Sequence, residues 1–230
     1  MNKVLIIAGG MGNRFGAEIP KQFVEVNGKP IILYTLETFQ SSPDVDSISV
    51  ICVSGWESYV KSITEKNCIS KLEKIITGGA TRFDSIYNGV TSYQNVAKDN
   101  DLLLIHDAVR ACLNHNIIHD SFLQAERYGA ALTVAPCFDT MFISMNGNSI
   151  DGIYPREQLF KGQTPETIRF RTALDIYLRA KEENICIDSP TSLLMKFNIK
   201  VGLSKGNQGN IKITTKDDIA LFQTFLSKRR

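Results

Sequence analysis

Short apolar runs separated by amphipathic stretches of helical length constrain this chain more than any other feature. Residues 4–8 (VLIIA), 47–53 (SISVICV), 102–105 (LLLI) and 131–135 (ALTVA) read as strands buried on both faces. Residues 31–40, 56–66, 82–92, 114–128 and 167–183 lie between or after them and read as helices. Any one run could be a piece of buried helix, but their alternation predicts an α/β fold with a mostly parallel sheet flanked by helices. A chain of 230 residues can bury a full core without staples. No linker or low-complexity tract divides it, so residues 1–230 are read as one domain.

One stretch breaks the rhythm. Residues 139–152 read DTMFISMNGNSIDG, and Asn146-Gly147 is a strong hairpin signal between two β-prone flanks. Residues 139–160 are therefore expected to form a β-arm projecting from the sheet.

Charge and cysteine usage exclude several classes. Twenty-six basic and 24 acidic side chains leave a formal charge of +2, which argues against non-specific nucleic-acid binding. Cysteines at 52, 68, 112, 137 and 186 show no CxxC and no zinc-ligand spacing. Free thiols in a reducing cytosol are the simplest reading. The apolar start is too short for a signal peptide, and no stretch approaches the ~20 apolar residues that cross a bilayer. A soluble cytoplasmic protein without membrane or nucleic-acid partners is expected.

After the first strand comes Ala8-Gly9-Gly10-Met11-Gly12-Asn13-Arg14-Phe15-Gly16, then Pro20-Lys21-Gln22-Phe23. A strand feeding a glycine-rich turn can cradle phosphate, because missing Cβ atoms let backbone N–H groups approach an anion. Phe15 stands where a dinucleotide fingerprint needs glycine, and no GxxxxGK[ST] occurs. Such a loop alone is more often a structural turn. Its company, Arg14 and Lys21, suits a triphosphate whose α-phosphate gains charge under attack.

Five further blocks follow in order: Gly78-Gly79-Ala80-Thr81-Arg82-Phe83-Asp84-Ser85, His106-Asp107-Ala108-Val109-Arg110, Asp139-Thr140, Gly162-Gln163-Thr164-Pro165 and Asn210-Ile211-Lys212-Ile213-Thr214. With the glycine loop, they make the chain resemble the CTP-dependent polyol-phosphate cytidylyltransferases. That family has a ribitol 5-phosphate branch and a 2-C-methyl-D-erythritol 4-phosphate branch. The resemblance implies a Rossmann-like nucleotidyltransferase fold and transfer of a cytidylyl group from CTP to a polyol phosphate, with magnesium. It gives catalytic roles to Arg14, Lys21 and Lys212, which would stabilise charge on the α-phosphate and the leaving pyrophosphate. CTP would meet Ala8, Gly9, Gly10, Gly12, Gly79, Arg82, Ser85, Asp107 and Ala108, with Gly79 leaving room for the base. Asp107 would also lie near the metal. Thr140, Arg156 and Thr164 match acceptor-binding positions, the first two across a homodimer interface made by exchanged arms. His106 receives no chemical role.

Three positions depart from the commoner family pattern: Ala111 for proline, Glu166 for the second glutamine of QTPQ, and Ile187 for a threonine that helps hold the acceptor in the erythritol branch. Ala8-Gly9-Gly10 and Lys161-Gly162-Gln163-Thr164-Pro165 resemble the ribitol branch more closely. Ribitol 5-phosphate is the expected acceptor. The alternatives are the methylerythritol phosphate reaction of isoprenoid synthesis, another polyol or sugar phosphate from capsule or surface-glycan synthesis, a nucleotidyltransferase using another base or a sugar 1-phosphate, and a nucleotide-binding module that has lost catalysis.

Overall fold

The computed structural model describes residues 1–10 and 19–227, so Gly12 and Arg14 lie outside the described residues. In chain order come β1 (Asn2–Ala8), β2 (Glu25–Val26), β3 (Lys29–Pro30), α1 (Ile31–Ser41), β4 (Ser47–Cys52), α2 (Glu57–Lys66), β5 (Leu72–Thr77), α3 (Arg82–Thr91), β6 (Leu102–Asp107), α4 (His115–Tyr128) and β7 (Ala130–Pro136). Then follow β8 (Met141–Ile143), β9 (Gly152–Tyr154), β10 (Phe160–Arg169), α5 (Phe170–Glu182), α6 (Pro190–Lys196), β11 (Gly202–Lys205) and α7 (Asp217–Ser227). No helix among the described residues is long and apolar enough to cross a membrane.

The central sheet has the order β11-β7-β10-β6-β1-β4-β5. Its neighbours pair in parallel except at β10, which runs antiparallel to both β6 and β7. Side chains along β1 alternate between two cores, which explains its unbroken apolar run. Val4, Ile6 and Ala8 join Ile32, Leu36 and Phe39 of α1 and Ile117 and Phe122 of α4. Leu5 turns to the other face and joins Ile86 and Val90 of α3, Tyr177 of α5 and Leu193 of α6. A Cβ on Gly89 would come 2.5 Å from Leu5 Cδ2 and 2.6 Å from Ile51 Cδ1, so glycine lets α3 lie close on the sheet.

The expected α/β alternation is present, but β5, β10, β11, α6 and α7 lie outside the expected elements. Residues 167–169 continue β10, and α5 starts only at Phe170. β10 also hides in the sequence because FKGQTPETIR carries a proline and several polar residues through the middle of a sheet. Pro165 is tolerated because the register with β7 shifts between Gly162 and Glu166. The polar side chains find partners inside: Thr167 Oγ1 lies 2.7 Å from Ser121 Oγ, for example.

β8 and β9 form a separate antiparallel hairpin. The connection is longer than a two-residue Asn-Gly turn. Asn146 instead accepts the N–H groups of Asn148 (2.8 Å) and Ser149 (3.0 Å) through Oδ1, and Gly147 takes φ = 74°.

Candidate active site

The chain lays β4 and β5 outward on one side of β1, then returns to place β6 on the other side. Ligands in open α/β sheets settle at the carboxyl ends of strands beside such a reversal. A cavity of about 550 Å³ opens there, walled by the ends of β1 and β6, residues 78–82 and Lys212.

β1 hands over to Gly9 and Gly10 at the cavity floor. Buried Gln22 donates through Nε2 to the carbonyls of Ala8 (2.7 Å) and Gly10 (3.1 Å), fixing the backbone on both sides of Gly9. Its neighbour Lys21, in a short 3-10 turn over Lys21–Phe23, lines the same wall. Sequence reasoning gave Gln22 no role; its signal was membership of the PKQF block.

The opposite wall is residues 78–82. The Gly79 N–H donates to Ser85 Oγ (3.0 Å), and that hydroxyl donates to the Thr81 carbonyl (2.9 Å). Thr81 caps α3 by accepting the Asp84 N–H at 3.0 Å. A Cβ on Gly79 would fall against Asp84, 2.9 Å from its carbonyl carbon. Close packing on the first turn of α3 therefore demands glycine here, whatever room it leaves for a base.

Asp107 ends β6 with a side chain only 6% exposed. Arg82 Nη1 lies 2.6 Å from Oδ1, Lys212 Nζ 2.9 Å from Oδ2, and Arg110 Nε 3.6 Å from Oδ2. Burial alone would raise the Asp107 pKa, but Arg82, Lys212 and Arg110 together hold it well below the usual carboxylate range. Three cations face one carboxylate, and Lys21 adds a fourth at the cavity wall. The near-neutral chain thus holds a locally basic pocket, suited to a polyanion.

Buried polar groups brace this cluster from behind. The Asp107 N–H donates to Thr164 Oγ1 (3.2 Å), which lies 3.1 Å from His106 Nδ1. His106 Nε2 lies 3.3 Å from the Arg110 carbonyl, which can only accept, so the proton is assigned to Nε2 and Thr164 donates to Nδ1. Burial pushes the imidazole down to about 3 against the attraction of Asp107, so the ring is neutral. Asn210, fully buried, donates to Gln163 Oε1 (3.2 Å) and to the Thr164 carbonyl (2.9 Å). Arg110 Nη1 donates to the Asn210 carbonyl at 2.8 Å. This bracing sets the course of the segment that delivers Lys212, whose Ile213 N–H also donates to the Val109 carbonyl at 3.0 Å.

The structure therefore brings Ala8, Gly9, Gly10, Lys21, Gly79, Arg82, Ser85, Asp107 and Lys212 to one cavity. Ala108 sits behind the wall, its N–H bonded to the Ile7 carbonyl (3.1 Å) and its carbonyl to Thr35 Oγ1 (2.8 Å). Thr164 is likewise behind Asp107, 4% exposed. Thr140 and Arg156 belong to the exposed hairpin region and do not line the cavity. Among the described residues no cluster of three or more His, Cys, Asp or Glu could hold a metal. Both Asp107 oxygens are engaged, by Arg82 and Lys212, so a magnesium ion arriving with substrate phosphates would have to take one of them from its cation.

The family model described as "IspD: 2-C-methyl-D-erythritol 4-phosphate cytidylyltransferase" matches residues 2–228. The chain belongs to this family of nucleotidyltransferases. Its curated relatives carry two names. A ribitol-5-phosphate cytidylyltransferase of Lacticaseibacillus paracasei is 33% identical, covering 100% of this chain and 99% of that protein. A 2-C-methyl-D-erythritol 4-phosphate cytidylyltransferase of Clostridium perfringens is 37% identical over 98% of this chain and 100% of its own. Among solved structures, the Francisella tularensis 2-C-methyl-D-erythritol 4-phosphate cytidylyltransferase superposes with a TM-score of 0.78 at 27% identity, covering 98% of this chain and 100% of that one. The cytidylyltransferase fold is thus shared from end to end. Overall identity does not separate the two branches.

Proposed function

We propose that the protein transfers the cytidylyl group of CTP to ribitol 5-phosphate, forming CDP-ribitol and releasing pyrophosphate. The observation that carries this reading is the excess of cations around buried Asp107, beside a glycine turn and Lys21 in one cavity. An oxygen of the acceptor phosphate attacks the α-phosphorus in line; the new P–O bond forms as the bond to the bridging oxygen breaks, and pyrophosphate leaves with that electron pair. The acceptor monoester is already largely ionised near neutrality, its second pKa being about 6. No strong base is demanded, which fits a neutral, enclosed His106.

Lys21 and Lys212, with Arg14, meet the charge that builds on the α-phosphate and the leaving group. Backbone groups of Ala8, Gly9, Gly10 and Gly12 would wrap the phosphates, and Gly79 and Ser85 would read the cytosine edge, for which hydrogen bonds rather than apolar contacts give discrimination. Arg82 and Asp107 orient the ribose side, with the Ala108 backbone behind them. Magnesium bound with CTP, with Asp107 as its one protein ligand, would neutralise phosphate charge.

The acceptor assignment is supported by Ala8-Gly9-Gly10 and by Lys161-Gly162-Gln163-Thr164-Pro165; Ile187, which packs against the second core cluster, lacks the hydroxyl of the erythritol branch and fits the ribitol branch no better. We read residues 1–230 as one domain whose 139–160 arm is exchanged in a homodimer, bringing Thr140 and Arg156 to the partner's acceptor site beside Thr164. Exposed Phe138, Met141, Phe142, Met145, Ile150 and Ile153 support that role, since so much apolar surface on one hairpin marks an interface. A cytoplasmic location fits thiols without disulfides at Cys52, Cys68, Cys137 and Cys186.

The test is pyrophosphate release with CTP, magnesium and a panel of polyol phosphates. Preferred turnover of ribitol 5-phosphate is expected. Preference for 2-C-methyl-D-erythritol 4-phosphate would move the protein to the other branch, and release with UTP or GTP in place of CTP would overturn the base assignment.

A further inference from the structure

Glu166 sits in mid-β10, opposite Ile105 of β6 and Leu132 of β7, and is 4% exposed. A carboxyl group so placed needs donors close by. Its Oε2 accepts the Thr191 N–H at 2.8 Å and lies 3.2 Å from the Ser189 hydroxyl, which donates to it. Ser189 Oγ in turn accepts the Ser192 N–H at 3.2 Å and caps α6. Glu166 thus rivets the turn over residues 188–191 to the sheet.

That turn reaches the active site through one backbone atom. The carbonyl of Asp188 accepts from Arg82 Nε at 3.1 Å, and Arg82 Nη1 donates to Asp107 Oδ1 at 2.6 Å. Two bonds to different edges of a planar guanidinium fix both its position and its plane. The circuit then closes on itself. Asp107 ends the strand in which Ile105 pairs with Glu166, so sheet, turn, Arg82 and Asp107 form one loop of contacts.

We propose that Glu166 is a positioning residue of the active site: it pins the 188–191 turn so that the Asp188 carbonyl holds Arg82 in register with Asp107. This rests on the cytidylyltransferase reading above. Released from the rivet, Arg82 keeps only its bond to Asp107 and can swing about its long side chain. The role belongs to an accepting oxygen, which an amide also offers. That accounts for glutamate here where the commoner family pattern has glutamine. Burial raises the Glu166 pKa, and its protonated form would still present a carbonyl oxygen.

The test is a double-mutant cycle on the full chain, read as pyrophosphate release from CTP and ribitol 5-phosphate. Glu166→Ala should lower kcat/KM on the order of tenfold, whereas Glu166→Gln restores most of it. In an Arg82→Ala background, Glu166→Ala should cost little more. Equal losses in the Ala and Gln variants, or losses that multiply in the double variant, would overturn the proposal. If Glu166→Ala does not fold, Ser189→Ala removes one bond of the rivet and enters the same cycle. A readout independent of turnover is the Arg82 Nε–H resonance, assigned by its absence in Arg82→Ala. It should be protected from exchange in wild type and Glu166→Gln, unprotected in Glu166→Ala and less protected in Ser189→Ala, where the Thr191 bond remains; equal protection in all of them sinks the rivet. Wild type inactive with every acceptor refutes the functional reading, while this resonance still decides the positioning role.

Discussion

The Asp107 cluster and the 139–160 hairpin are built on opposite terms. Around Asp107 a carboxylate and three cations are wired to one another and braced by Thr164, His106 and Asn210. The hairpin, in contrast, bonds chiefly to itself and turns Phe142, Met145 and Ile153 outward, 58%, 85% and 61% exposed. One region is preorganised before any ligand arrives, so it can stabilise charge without reorganising during reaction. The other leaves large apolar side chains exposed on a single chain. The contrast predicts that substitutions at the cluster act on chemistry and that substitutions at the hairpin act through assembly.

Lys21→Ala should break the first half of that contrast most severely. Removing a preorganised cation from the developing charge should lower kcat by about 10²–10³. CTP affinity, measured by calorimetry, should change much less, because the other cations remain. Near-normal turnover would remove Lys21 from the catalytic role. The hairpin comes next in size. Phe142→Asp with Ile153→Asp places charge on paired positions of β8 and β9 without touching the cavity. Sedimentation should show a monomer, and turnover should fall roughly tenfold or more through loss of the partner's Arg156, an ordinary cost for one charged contact to a substrate phosphate. A monomer with full activity would show that the acceptor site needs nothing from its neighbour.

How far the sequence could have led differs between these same regions. The strands at 4–8 and 47–53 and the helix at 31–40 were legible because a sheet covered on both faces imposes uniform apolar runs. The glycine loop, Lys21, Asp107 and Lys212 were legible as ordered blocks. The bracing was not. Gln163, Thr164, Glu166 and Asn210 are polar residues buried at 4% exposure or less, and the partners that brace them lie from 23 to 100 positions away in sequence. No periodicity reports such pairings. β10 was hidden for the same reason, since its polar residues are satisfied by α4 and by the start of α6 rather than by water. The hairpin signal was read from Asn146-Gly147, but loop geometry depends on side-chain acceptance by Asn146, which a dipeptide does not specify.

His106 gives a smaller effect, read in stability rather than rate. Its folded pKa is depressed to about 3, below the ordinary value of 6.5. The unfolded chain therefore binds the proton first, and the contribution of the neutral ring is lost as pH falls below about 6.5, by at most ~1.4 kcal/mol per unit. Glu166, raised by burial, pulls in the opposite direction above pH 4.5. Subtracting the pH dependence of His106→Asn from that of wild type isolates the ring. Urea unfolding between pH 4.5 and 6.5 should show wild type gaining stability relative to the variant as pH rises. Parallel curves would mean that the imidazole is hydrated or charged in the native state.

Ile187→Thr should produce the smallest change and the most specific one. Ile187 lies just before Asp188, whose carbonyl holds Arg82, and its side chain packs half-buried against the core cluster that includes Tyr177 and Leu193. Threonine would lose apolar contact but restore the hydroxyl that the erythritol branch carries at this position. Replacing a partly buried methylene and methyl by a hydroxyl costs about 1 kcal/mol of stability, too little to unfold a domain of this size. Its effect on specificity should also be modest, roughly tenfold rather than orders of magnitude, because residue 187 does not line the cavity. Competition between ribitol 5-phosphate and 2-C-methyl-D-erythritol 4-phosphate should move toward the latter, with CTP KM unchanged. A change in CTP KM instead would place the effect on Arg82, through the Asp188 carbonyl, and would tie residue 187 to the nucleotide side of the preorganised cluster.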